Sequence, residues 1–299
     1  MFFIANHPIY NHPLPEGHRF PMLKYELLPK QLLHEGTAEC TDFYSPDSID
    51  LSLVHAVHTV SYVKALTELT LDAKAVRSIG FPLSAALVER ELRIAQGTVV
   101  GCNHALEHGI AFNIAGGTHH AFSNRGEAFC LLNDQAIAAQ YLINQKKCHK
   151  ILIVDLDVHQ GNGTAEIFQN NADVITFSMH GQSNYPFRKE TSDYDIPLPD
   201  KTDDSTYLAI LQETLPELLN IHRPDFVFYL AGVDILGTDK LGKLGCTLEG
   251  CKTRDSYVLG LCKSLGIPVQ VSMGGGYSPA IKTIIEAHAN TYRVARALY

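Results

Sequence analysis

The sequence predicts an α/β fold in a single domain, residues 1–299, with a central parallel sheet flanked by helices. Three observations lead there. From residue 151 onward, short apolar strands alternate with helical patterns, and strands joined through helices imply crossovers and a parallel sheet. Segments such as Asp225-Phe226-Val227-Phe228-Tyr229-Leu230 are nearly continuously apolar, as expected of strands covered on both faces. No repeat, low-complexity tract or linker-like stretch divides the chain.

In order along the chain, residues 2–5 form a short apolar strand, followed by a His- and Pro-rich loop to residue 21. Residues 22–35 carry helical spacing and stop at Gly36, a good C-cap residue. Residues 49–71 read as one or two short helices, with Leu53, Val54, Val57 and Val60 on one face. The longest helical pattern, 84–108, starts at Ser84 as N-cap, and its Gly97 and Gly101 permit close packing. A strand over 110–115 runs into Gly116-Gly117-Thr118-His119-His120, and 134–142 is helical. Next come strand 151–158, helix 164–169, strand 173–179, a loop over 181–202 and helix 205–220. Strand 225–232, a loop over 234–248, helix 250–264, strand 267–273 and helix 279–296 complete the chain.

With 299 residues, 45% hydrophobic and 19% charged, the chain has the composition of a soluble globular protein. Its formal net charge of -8 argues against a phosphate-tracking nucleic-acid binder and against docking on an anionic membrane. The seven cysteines are irregularly spaced and include no Cys-x-x-Cys pair. They suit a reducing compartment better than a disulfide framework or a thiolate zinc site. The N-terminus lacks a basic leader region and meets Pro8 early. No apolar run approaches the roughly 20 residues a membrane span needs. These features lead to the expectation of a cytoplasmic enzyme.

Ligands of open parallel sheets bind beyond the carboxyl ends of the strands. Five strand ends carry metal-ligand or acid/base residue types: His119 and His120; Asp157 and His159; Ser178-Met179-His180; Asp234; and Gly274-Gly275-Gly276-Tyr277. If the strand from Ile151 stays extended, Asp155, Asp157 and His159 project to one side. Carboxylates and an imidazole clustered at an apolar strand end call for a neutralising ion. Asp157, His159 and Asp234 form an O/N ligand set suited to zinc or Fe(II), with a position left for water. Asp234 also suits an Asx turn. Asp155, two residues deeper, is placed to orient a partner or hold a monovalent cation; pairing with a lysine is the structural alternative. His119 and His120 suit proton transfer, and Tyr277 suits stabilisation of an oxyanion.

Together these residues resemble the zinc-dependent histone deacetylase family, with its arginase/deacetylase-like α/β fold. The likeness runs from Gly80-Phe81-Pro82-Leu83-Ser84 through Gly116 to Ala121, Phe129 to Asp134, Asp155 to Gly163, Ala231 to Asp234 and Gly274 to Tyr277. The segments Asp157 to Gly163 and Asp234 to Gly242 are most similar to the class IV branch and its bacterial relatives. The resemblance implies one Zn²⁺ on Asp157, His159 and Asp234. It implies that His119 pairs with Asp155, that His120 is the principal general base and acid, and that Tyr277 polarises the amide carbonyl. Asn162 stands where many members carry an aspartate facing the second histidine, so His120 is expected to have a less elevated pKa. A structural K⁺ would lie at Asp155, Asp157, His159, Ser178 and Met179. Gly117, Phe129, Tyr185, Leu241 and Gly275 match substrate-contacting positions, and Arg19 matches an internal cavity for released acid.

The implied reaction is removal of an acetyl or longer acyl group from Nε-acyl-lysine or a similar amine, acylpolyamines included. A ureohydrolase would need a further carboxylate where Gly161 stands. A metal-containing binding module would have no use for His119, His120 and Tyr277 together. A dinucleotide fingerprint fails because Glu166 replaces its third glycine.

Overall fold

The computed structural model describes residues 2–299. Its strands are β1 (Ile4–Ala5), β2 (Phe43–Tyr44), β3 (Ile110–Asn113), β4 (Ile151–Asp155), β5 (Val174–Gly181), β6 (Tyr194–Leu198), β7 (Phe226–Leu230) and β8 (Val269–Ser272). Its helices are α1 (Lys24–His34), α2 (Leu51–Val54), α3 (Val60–Thr67), α4 (Ala73–Ile79), α5 (Ala85–His108), α6 (Asp134–Asn144), α7 (Asn162–Phe168), α8 (Asp204–His222), α9 (Leu248–Leu265) and α10 (Ile281–Leu298).

The strands form one eight-stranded sheet in the order β2-β1-β3-β8-β7-β4-β5-β6, and every pairing is parallel. All carboxyl ends therefore meet one edge. Strands β3, β4, β7 and β8 are buried throughout, which explains their unbroken apolar runs. Neighbouring residues of β3 show how both faces are covered. Ala111 meets α5 at Gly101, while Phe112 stacks on Tyr292 of α10 at 4.4 Å. Successive strand residues point to opposite faces, so α5 and α10 cover opposite sides. A side chain at Gly97 would collide with Ala5 and Tyr10, so the glycine spacing of α5 serves close packing. Among the described residues, no helix is long and apolar enough to cross a membrane.

Two expectations are corrected, and one helix is added to those expected. The strand starting at Ile151 ends at Asp155 and does not extend to residue 158. Asp155 Oδ1 accepts the Asp157 amide at 3.1 Å, and Asp157 Oδ1 accepts the His159 amide at 3.0 Å. These two side-chain-to-backbone turns compete with the ladder and lift the chain out of the sheet. The loop expected over 181–202 contains β6, an edge strand paired with β5. Its Pro197 removes an amide donor, a composition that reads as loop but is tolerated at an edge. The expected helices over 49–71 are joined by α4, capped by the Asp72 carboxylate on the Ala75 amide and closed by Gly80 in the left-handed region.

Candidate active site

Asp157, His159 and Asp234 come from the segments after β4 and β7, and ligand atoms of all three lie within 4.8 Å of one another. His159 Nδ1 is 2.9 Å from Asp157 Oδ1 and 3.2 Å from Asp234 Oδ2. Asp234 Oδ1 accepts the Val158 amide at 2.9 Å, which ties the two segments together. Asp157 Oδ2 accepts the Gly275 amide at 2.8 Å. Asp234 Oδ2, by contrast, is buried with no hydrogen-bond partner. Burial, followed by the nearby Asp157 charge, pushes the Asp234 carboxyl up to about 7. Although burial opposes its charge, the hydrogen bond with Asp157 and the adjacent Asp234 carboxylate push His159 up to about 10. An orphaned carboxylate oxygen beside a second carboxylate and an imidazole nitrogen is a donor set that a divalent cation would satisfy. The residues fit a zinc ion.

His119 Nδ1 lies 2.6 Å from Asp155 Oδ2. Burial opposes the His119 charge, but the Asp155 carboxylate holds its pKa above the ordinary value. Asp155 is therefore paired with a histidine and not with a lysine. Gly161 makes this contact possible, since a Cβ there would stand 2.4 Å from Asp155 Oδ2. A side chain at the position that a ureohydrolase would fill with a carboxylate would have to push Asp155 away from His119. His120 Nδ1 lies 2.6 Å from Asn162 Oδ1, and burial holds the His120 pKa well below its ordinary value.

Asp134 anchors the loop carrying both histidines, accepting Thr118 through its amide at 2.9 Å and its hydroxyl at 2.7 Å. Ser178 and Met179 lie within β5, and the register sets Ser178 opposite Asp155. His180 stays out of the Asp157-His159-Asp234 cluster; its Nδ1 contacts Ser178 Oγ at 3.0 Å.

Above the cluster is a cavity of about 430 Å³ lined by His120, His159, Tyr277, Phe129, Tyr185 and Leu241, among others. Phe129 and its neighbour Ala128 hold left-handed backbone, at φ 70° and 44°, strain of a kind that gathers at functional sites. The Phe129 ring packs against Phe20, Phe81 and Tyr277. Tyr185 stands edge-on to His120, with ring centroids 5.0 Å apart, and its hydroxyl donates to Glu127 at 2.6 Å. Burial, followed by the Asp157 and Asp234 charges, raises the Tyr277 phenol well above its ordinary value, so it remains a hydrogen-bond donor at neutral pH.

A smaller space lies behind this cavity, lined by residues including Gly117, Gly275, Tyr25 and Arg90. Arg19 does not line it, which corrects the expectation. The Arg19 guanidinium rests 5.0 Å above the Phe129 ring at the outer cavity. Arg90, buried on α5 beside Glu91 and over Tyr25, is the arginine at the inner space. A charged Arg-Glu pair on an otherwise apolar helix stripe was the available signal.

Two further residues escaped sequence reasoning. Lys24 is wholly buried, donates to the Gly274 carbonyl at 3.0 Å and lies 5.8 Å from the Tyr277 ring centre. Arg254, paired with Asp255, donates to the carbonyls of Leu156 and Gly232 and so clamps the segments carrying Asp157 and Asp234 from below.

An all-parallel α/β sheet with an Asp-His-Asp cluster at its carboxyl edge, beneath an aromatic-walled cavity, defines an enzyme of the arginase/deacetylase-like class. Residues 18–292 match the histone deacetylase domain family. An uncharacterized protein of Picosynechococcus is 46% identical over 298 residues, covering 100% of this chain and 99% of its own. Histone deacetylase 2 of Arabidopsis thaliana is 28% identical over 279 residues, covering 90% of this chain and 72% of its own. The crystal structure of an HDAC homolog complexed with SAHA superposes with a TM-score of 0.86 at 22% identity, covering 100% of this chain and 84% of that one. The chain belongs to the histone deacetylase family. Family and fold together support a hydrolase of the deacetylase type.

Proposed function

We propose that this protein is a zinc-dependent amidohydrolase that removes acetyl or longer acyl groups from Nε-acyl-lysine or a similar acylated amine. The observation that carries the reading is the Asp157-His159-Asp234 cluster, set below a cavity that also exposes His120 and Tyr277. When bound there, a zinc ion would polarise the acyl carbonyl and acidify water. Asp157 and Asp234 would supply carboxylate oxygens to it, and His159 its Nδ1.

The chain's own groups account for the proton movements. His120 donates Nδ1–H to Asn162, which leaves Nε2 free to take a proton from water and return it to the departing amine. His119, whose Nδ1 is held by the Asp155 carboxylate, stands beside His120 and orients the pair toward the reacting carbonyl. Tyr277 donates its phenolic hydrogen to that oxygen. Phe129, Tyr185 and Leu241 exclude water from the acyl-lysine stem.

The class IV assignment rests on the motif forms and Asn162, and the catalytic domain spans residues 1–299. The facing positions of Asp155 and Ser178 favour the potassium site expected there. The test is acyl-lysine turnover by zinc-loaded protein. Tyr277→Phe and His120→Ala should each lose at least about 100-fold in kcat. Variants as active as the parent would contradict the reading.

A further inference from the structure

The chain carries a formal net charge of -8, yet the catalytic cavity opens between cations. Arg19 and Lys243 line it, and among the described residues lining it there is no carboxylate. Both side chains belong to exposed residues. Lys243 Nζ donates to Ser183 through the carbonyl and the hydroxyl, both at 3.1 Å, so it bridges the two loops that form one side of the mouth. Arg188 and Lys240 are exposed on those same loops.

The carboxylates just behind the lining are already engaged. Glu127 accepts from Tyr185 at 2.6 Å and from Arg125 at 2.8 Å. Asp239 accepts the amides of Leu241, Gly242 and Tyr277 at 2.8, 2.9 and 2.6 Å. Asp200 accepts the Ser183 hydroxyl. A cationic substrate arriving at this mouth meets two positive charges and no carboxylate in the lining. An anionic one meets two charges opposite to its own.

We infer that the amine half of the substrate carries negative charge outside the scissile amide: an acyl-lysine flanked by acidic residues, in preference to a basic peptide or an acylpolyamine. The inference rests on the amidohydrolase reading and narrows its substrate class. Charges at a rim act mainly through encounter and orientation, and they weaken with salt.

The experiment measures kcat/KM of the zinc-loaded full chain on one acetyl-lysine peptide core with Gly, Asp or Lys flanks, and on N-acetylspermidine, at about 50 and 300 mM salt. Two exposed pairs correspond to roughly a five- to tenfold preference for Asp over Lys flanks at low salt, collapsing toward unity at high salt. Lys243→Glu should invert or abolish the preference. Arg19→Gln, which leaves the Lys243 loop bridge intact, should halve it or more. Lys263→Glu, an equal charge change where α9 ends at the opposite edge of the sheet, should leave it unchanged. Turnover of the Gly-flanked peptide with a flat charge response, or acetylspermidine matching the acidic peptide, overturns this inference alone. No turnover of any substrate overturns the amidohydrolase reading and this inference with it.

Discussion

His120 Nδ1 lies 2.6 Å from Asn162 Oδ1. An amide oxygen only accepts, so Nδ1 carries the proton and Nε2 is the basic atom. Burial, then the neighbouring His119 and His159, hold the His120 pKa well below its ordinary value, and Asn162 adds no charge to oppose them. In Asn162→Asp, a carboxylate should raise that pKa by roughly 1–3 units. A raised pKa keeps His120 protonated to higher pH, so the acid limb of kcat/KM should move upward. Matched pH-rate profiles check this, and an unmoved limb would remove His120 as the base.

Gly275 leaves the space that the carboxylates of Asp157 and Asp234 occupy. A Cβ there would stand 2.0 Å from Asp234 Oδ2 and 2.7 Å from Asp157 Oδ2. Gly275→Ala should therefore weaken zinc binding by about 10- to 100-fold, as expected when ligand orientation is lost. The Tm of the metal-free protein should fall much less. Competition against a chromogenic chelator and a thermal melt separate the two effects.

Lys24 is a buried cation under the Tyr277 loop, with burial lowering its pKa to about 8. Burying an unpaired charge carries a desolvation cost, which a similarly shaped apolar group does not incur. Lys24→Met should keep or raise Tm while lowering kcat about tenfold, because the Gly274 carbonyl loses its donor and Tyr277 its support. Unchanged kcat would reduce Lys24 to a structural residue.

Most of this site was legible because parallel strands deliver chemistry to one edge: Asp157, His159, Asp234, His119, His120 and Tyr277 each stand just past the end of an apolar strand. The structure brings Asp157, His159 and Asp234 together without the extended strand to residue 158 from which the sequence reading started. Alternation cannot show that Asp155 and Asp157 cap their own backbone and end the strand. The register of β6 was hidden by Pro197 and by half-buried polar positions. Arg90, Lys24 and Arg254 were hidden because charged residues within helices ordinarily face solvent, and only tertiary packing turns them inward.

Glu35 joins the end of α1 to α10 by accepting Arg293 Nε at 2.9 Å and Nη2 at 2.5 Å. Burial alone would raise its pKa, but hydrogen bonds from Arg293, Thr37 and Gln31 hold it down to about 2, against an ordinary 4.5. A depressed carboxyl pKa contributes stability that is fully present above the unfolded value and is lost as pH falls through the folded one. Glu35→Gln should cost about 1 kcal/mol at neutral pH for this partly exposed pair. The difference from the parent should shrink between pH 4.5 and about 2. Denaturant melts across that window check the sign.

The proposed acyl-amine hydrolysis depends on one zinc ion held by Asp157, His159 and Asp234. Titrating metal-free protein with zinc, while following acetyl-lysine peptide hydrolysis and bound metal together, tests that dependence directly. Activity should rise linearly to a plateau at one zinc per chain, with no such rise in Asp234→Asn. Hydrolysis at full rate without metal, or activity that requires two manganese ions per chain, would contradict it.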